Sequence, residues 1–111
     1  MALTTVDSGS QTATLDTIHD LETTTTAGVY VAQWNLTNLA KGDIVRLFVK
    51  TKVLTGDTAE IVFEGVYAND LLSDAIIMSP AIVSMFSLTM SLEQTDGTGR
   101  SFPWALIQVA T

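Results

Sequence analysis

Apolar and polar residues alternate with a period of two along most of this chain, the signature of half-buried β-strands. In GVYVAQWNL, residues 28–36, Tyr30, Ala32, Trp34 and Leu36 share one face while Val29, Val31, Gln33 and Asn35 share the other. Residues 44–54 read as the next strand, with Val45, Leu47, Val49 and Val53 on one side and Arg46, Phe48, Lys50 and Lys52 on the other. Residues 59–68 follow after the polar break Thr55-Gly56-Asp57-Thr58, which suits a hairpin loop. There Ile61, Phe63, Gly65 and Tyr67 alternate with Glu60, Val62, Glu64 and Val66. FSLTMSLEQ is expected to send Phe86, Leu88, Met90 and Leu92 inward and Ser87, Thr89, Ser91 and Glu93 to solvent. Residues 101–110, SFPWALIQVA, make the last strand, with Pro103 marking an edge or bulge near its start.

Breaks in the pattern divide these strands. Gly42-Asp43 and Thr95-Asp96-Gly97-Thr98-Gly99 read as turns, and Asn69–Asp74 as a loop with room for one helical turn. AIIMSPAIVSMF, residues 75–86, is almost continuously apolar around Ser79-Pro80. Proline cannot donate to a ladder, so this stretch is expected to be a buried edge or an interface strand, not an unbroken central one. Residues 1–15 are rich in Thr and Ser and read as an extended arm or short edge strand, leaving 16–111 as one domain. About seven or eight short strands with no amphipathic helix predict an all-β chain, an antiparallel β-sandwich or jelly roll.

Charge narrows the functions open to it. The chain carries 12 acidic and 5 basic residues, a net charge of −7, so it lacks the basic footprint that binds nucleic acid or an anionic membrane. Only 15% of its residues are charged while 47% are hydrophobic, which suggests apolar surface covered by partners. No run is long and apolar enough to span a membrane. The opening MALTTVDSGS has no basic start and no long apolar stretch, so no signal peptide is expected. The strip Arg46, Phe48, Lys50, Lys52 has two compatible readings. Its cations can pair across the ladder with Glu60 and Glu64. Alternatively Phe48 and Val62 meet another chain on the outer face.

Candidate chemistry is sparse. With no cysteine, disulfides, zinc thiolates and thiol catalysis are excluded. Asp7-Ser8-Gly9 matches the active triplet of retroviral-type aspartic proteases, but only Met1–Val6 precede it and the downstream apolar-apolar-Gly stretch is not evident. His19 beside Asp20 is not a catalytic pair on a strand, where neighbours point to opposite faces. Asp70 and Asp74 supply too few carboxylates for a calcium loop, and Asn35-Leu36-Thr37 is a chance glycosylation match without a secretory signal. Trp34, Phe63, Tyr67 and Trp104 suggest a sugar-stacking platform, but the first two fall on inward faces; Trp104, after Pro103, is the one expected to be partly exposed. No cofactor or metal is expected.

The run AGVYVAQWNLTNLAKGDIVRLFVKTKVLTGD, with its turn at Asn38, Leu39, Gly42 and Asp43, resembles the amino-terminal half of small β-rich structural proteins of tailed bacteriophages. The closing TDGTGRSFPWALIQV, with its Phe-Pro-Trp entering the last strand, is similar to the way such proteins end. The resemblance covers most of residues 27–109 and has no counterpart for the first 26. It implies a virion component of head-decoration or minor-capsid type, with no catalytic residues, whose partners are the major capsid protein and copies of itself. The alternative expectation is a β-sandwich carbohydrate-binding module on a tail or cell surface, with Trp104 and Tyr67 as its aromatics. The residues expected at interfaces are Arg46, Phe48, Lys50, Val62, Ile76, Ile77, Met78, Pro80, Ile82 and Trp104. Strand addition at the 75–83 or 100–110 edges is the expected mode.

Overall fold

The period-two pattern becomes nine strands among residues 2–69 and 75–110, the part of the chain that the computed structural model describes. They are β1 (Ala2–Thr12), β2 (Ile18–Thr24), β3 (Gly28–Asn35), β4 (Ile44–Thr51), β5 (Glu60–Ala68), β6 (Ile76–Met78), β7 (Ile82–Ser84), β8 (Leu88–Asp96) and β9 (Ser101–Ala110). All pairings are antiparallel. One sheet runs β1-β9-β3 and ends on β6 and β7, which both pair with β3; the other runs β2-β8-β4-β5.

β6 and β7 are two halves of one interrupted edge strand. The ladder partners then nest: β1 with β9, β2 with β8, β3 with β6 and β7, β4 with β5. This is a single antiparallel ribbon rolled so that successive rungs enter alternate sheets, the wiring of a jelly roll. The break follows from Pro80. Ser79 bridges it, its N–H donating to the Ala32 carbonyl at 2.9 Å. Its Oγ accepts from the Ala32 N–H, also at 2.9 Å, so β3 loses no partner where the ladder is cut.

Between the sheets, Tyr30, Ala32, Trp34 and Leu36 from β3 and its exit meet Val45, Leu47 and Val49 of β4 and Leu88, Met90 and Leu92 of β8, all nearly inaccessible. Trp34 stacks on Phe63 with ring centroids 6.0 Å apart. Among the described residues its indole N–H has no acceptor, so packing alone holds it. Tyr30 donates its hydroxyl proton to the Thr26 carbonyl at 2.6 Å, which lets a phenol sit in the core.

Several positions depart from the strict alternation, among them Val53, which lies beyond the end of β4 and is exposed. A bulge between Val49 and Lys50 on the β4–β5 ladder places Ile61, not Val62, opposite Lys50; Ile61 therefore faces out, and Glu60 pairs with Thr51. Phe86 precedes β8 in a bend and is partly exposed. Ser91 points away from the core yet is fully buried, its Oγ donating to Asp20 at 2.7 Å.

The two turns singled out in the sequence pack against each other at one end of the sandwich. Asp43, 1% exposed, accepts from Ala40 N at 2.9 Å, Thr98 N at 3.0 Å and Arg100 Nε at 2.8 Å. Buried Gln94 completes the knot, donating to the carbonyls of Asp96 and Thr98 and accepting from Arg100 N. Burial by itself would push the Asp43 carboxyl up; the Ala40 and Thr98 amides and the Arg100 guanidinium outweigh it and hold it below the usual carboxylate value. Gly97 adopts φ +92° over this carboxylate, a conformation and a clearance that suit only glycine.

Candidate functional site, the two outer faces

A sandwich has two outer faces, and here they differ in kind. On the β2-β8-β4-β5 sheet, Arg46 is clamped between Glu64 of β5 and Glu93 of β8, the latter at 3.3 Å. Hydrogen bonding to Glu64 is the main reason the guanidinium holds its proton more tightly than usual, with Glu93 adding to it against the cost of burial. Its Cζ sits 4.2 Å from the centroid of the Phe48 ring, and Lys50 Nζ lies 5.7 Å from the same centroid. Phe48 is thereby 1% exposed. The basic strip is an internal lid: Arg46 and Lys50 cover an outward aromatic, and Arg46 pairs with carboxylates on both neighbouring strands. Each such contact contributes about 0.2–1 kcal/mol at the surface.

The β1-β9-β3 sheet is different. Register places Leu3 and Thr5 of β1 beside Val109 and Ile107 of β9, and these beside Val29 and Val31 of β3. Val83 and Met78 continue the rows on β7 and β6, opposite Val29 and Gln33. Further along the same face come Ser8, Ser10 and Thr12, then Ala105, Pro103 and Ser101, then Asn35 and Ile76. Among the described residues, no charged side chain lies on this face. Leu3, Thr5, Val31, Gln33, Met78, Ile107 and Val109 line a groove of about 440 Å³ in its middle. A smaller hollow of about 190 Å³ lies beside it, lined by Gln33, Asn35, Ile76, Pro103, Trp104 and Ala105.

The ten expected interface residues therefore divide. Arg46, Phe48, Lys50 and Val62 belong to one outer face; Ile76 and Met78, 49% and 57% exposed, belong to the opposite one. Three of the ten do not offer a surface. Phe48 is covered by its own chain's cations, Ile82 is a core residue on β7, and Ile77 faces inward opposite Trp34. Pro80 is exposed at the break, and Trp104 is half-buried against the core beside Gly9. Residues 100–110 are not an edge: β9 is flanked by β1 and β3, and the free edges of its sheet are β1 and β6–β7. Pro103 is tolerated there because it lies beyond the last β3–β9 pair, Trp34 with Trp104.

Leu3, Val31, Ile107 and Val109 were not singled out as surface residues by sequence reasoning. A signal for them exists in β9, where Phe102 and Leu106 point in while Ala105, Ile107 and Val109 point out, so the strand is apolar on both sides.

The chemistry candidates take ordinary structural places. Asp7-Ser8-Gly9 lies within edge strand β1, with Ser8 N donating to Asp7 Oδ1 at 2.8 Å. Burial, then hydrogen bonding and charge from Asp7, push the Glu22 carboxyl up, so two carboxylates meet between the edge strands β1 and β2 of the two sheets. His19 Nε2 accepts from Thr14 N at 3.1 Å, and Asp20 accepts from Ser91. Tyr67 folds over Gly65 and packs on the core from one sheet, as Trp104 does from the other; the two do not form a shared exposed platform. Among the described residues no group of three or more His, Asp or Glu side chains is placed to hold a metal ion, and Asp70 and Asp74 lie outside them. No helix among the described residues is long and apolar enough to cross a membrane.

Comparison of the chain with family models, with curated proteins and with solved structures finds no match.

Proposed function

We propose that this protein is a structural component of a virion, a head decoration or minor capsid protein of a tailed bacteriophage that binds the major capsid protein and copies of itself. The observation that carries the reading is the outer face of the β1-β9-β3 sheet, on which no charged side chain lies among the described residues. An acidic chain of this size would ordinarily keep some charge on every solvent face. A face without it loses little when water is removed, since no ion has to be desolvated there. The jelly-roll wiring agrees, because that fold serves in viral shells, though it also serves in lectins, and fold alone does not assign function. The sequence resemblance to phage structural proteins supplies the particle. Quantitative mass spectrometry of purified particles tests it: the protein is expected at a stoichiometry of many copies per particle, and particles assembled by a host carrying the gene but lacking the protein would end the reading.

The second reading is carbohydrate binding at the hollow lined by Gln33, Asn35 and Pro103 to Ala105, where two amides face outward; the Trp104 ring turns the other way, toward Trp34 and Gly9. Both amides already have partners in the chain. Asn35 Oδ1 accepts from Thr37 N at 2.9 Å, and Gln33 Nε2 contacts Met78 Sδ at 3.1 Å. A glycan array showing a hit that Gln33→Ala removes would favour this reading over the first.

A further inference from the structure

We propose that the outer face of the β1-β9-β3 sheet, free of charged side chains among the described residues, is a self-association surface, on which a second copy of this chain stacks sheet to sheet about a twofold axis. The inference goes beyond the virion reading and does not need it, since any chain with this face would pair in the same way.

Charge selects the occupant. Each copy carries a net charge of −7, so two copies repel over most approaches. The opposite face cannot be self-complementary without work, because it presents Glu64, Glu93 and Asp20 along with Arg46, already committed to Phe48 and two carboxylates, and Lys50, which lies over Phe48. Among the described residues, the β1-β9-β3 face brings no like charges together and buries no unpaired ion when two copies meet on it. A twofold axis through its centre sets an apolar patch against an identical one.

Area permits it. Strand spacing of about 4.8 Å over four strand positions, and about 3.3 Å per residue, give a face of roughly 19 by 30 Å, on the order of 570 Å². That estimate uses the eight residues of β3 and the ten of β9, and it fits within the 39 × 31 Å broad side of the molecule. Two copies would bury roughly 1,100 Å² in flat projection and more with pleated side chains, which reaches the lower end of stable interfaces. Leu3 and Met78, on the two rims of the central groove and 69% and 57% exposed, are the side chains with most to gain. Sheets packed this way sit about 10 Å apart.

Sedimentation equilibrium on the full chain tests the proposal, with Leu3→Lys and Met78→Lys as face variants and Val66→Lys, on the other sheet, as the control. All three sites are exposed, so circular dichroism should show folded proteins. The expected result is a dimer at micromolar concentration that each face variant weakens about tenfold or more and Val66→Lys leaves unchanged. Because the contact is neutral and the molecules repel, the dimer should tighten as salt rises from about 0.01 to 0.15 M, where screening shortens from about 30 to 8 Å. A monomeric wild type would overturn the proposal, whether the face then takes up detergent or a foreign protein. So would a dimer that the face variants leave intact, or one that salt dissolves, which would place the contact among the ion pairs of the other sheet.

Discussion

Replacing Asp43 by alanine should cost this protein a large part of its stability while touching no strand. The carboxylate is 1% exposed and is the common acceptor for Ala40 N, Thr98 N and Arg100 Nε. Hydrogen bonds to an ionised group contribute about 1.5–3 kcal/mol each, and the two amides would be left partly buried without an acceptor. The Arg100 side chain is 36% exposed, so its share is discounted to the scale of a surface pair, roughly 1 kcal/mol or less. With each amide at the low end of that range, because Ala40 and Thr98 are themselves partly exposed, these give about 3–4 kcal/mol, against a total of about 5–15 kcal/mol for a domain of this kind. At about 4–6 °C per kcal/mol, the midpoint should fall by roughly 12–24 °C. Urea denaturation followed by far-ultraviolet circular dichroism at pH 7 measures it. Asp43→Asn, which keeps the size and one oxygen, should lose about half as much. The pH dependence has a definite sign. The folded carboxyl titrates below its unfolded value, so the advantage over Asp43→Asn is complete above the unfolded value near about 4 and is lost as pH falls through the folded one. An Asp43→Ala protein within about 0.5 kcal/mol of wild type would refute the reasoning, because that is the range of changes at indifferent surface sites.

Gly97→Ala should destabilise by about 2 kcal/mol or more, since the new Cβ would collide with the Asp43 carboxylate at a positive φ; in a denaturation cycle with Asp43→Ala, the double variant should lose less than the sum of the two single losses. Ser79→Ala removes the acceptor that the Ala32 N–H uses at the strand break, and thermal melts should show a loss of about 1–3 kcal/mol without dissolving the core. Glu22→Gln should raise stability at neutral pH and gain little near pH 4. The folded Glu22 carboxyl titrates above its unfolded value, so the wild type is penalised as pH rises through that interval, and chemical denaturation at several pH values would show the gap opening upward.

The sandwich was readable from the sequence because period-two patterning in β3, β4 and β8 is set by one buried face each, and Leu47, Met90 and Trp34 fall where that pattern puts them. What was not readable came from effects that leave no periodic mark. The bulge opposite Lys50 shifts Ile61 by one position and so turns it outward. Phe48 reads as an exposed ring until Arg46 and Lys50 are seen to close over it, a local cover made by residues two positions away on the same strand. The central place of β9 depends on β1, a Thr- and Ser-rich segment whose pairing with Ser101–Ala110 is the longest in sequence separation in the fold. Without that pairing, the apolar outer residues of β9 look like surplus, and with it they become one neutral sheet face.

Hydroxyl-radical footprinting of the protein in its assembled state, read residue by residue by mass spectrometry, tests most directly whether that neutral face is the working surface. The account predicts strong protection of Leu3, Ile76 and Met78 on assembly, with Val62 and Val66 on the opposite sheet reacting as they do in the dilute monomer. Protection of Val62 and Val66 with Leu3 and Met78 still open would contradict it.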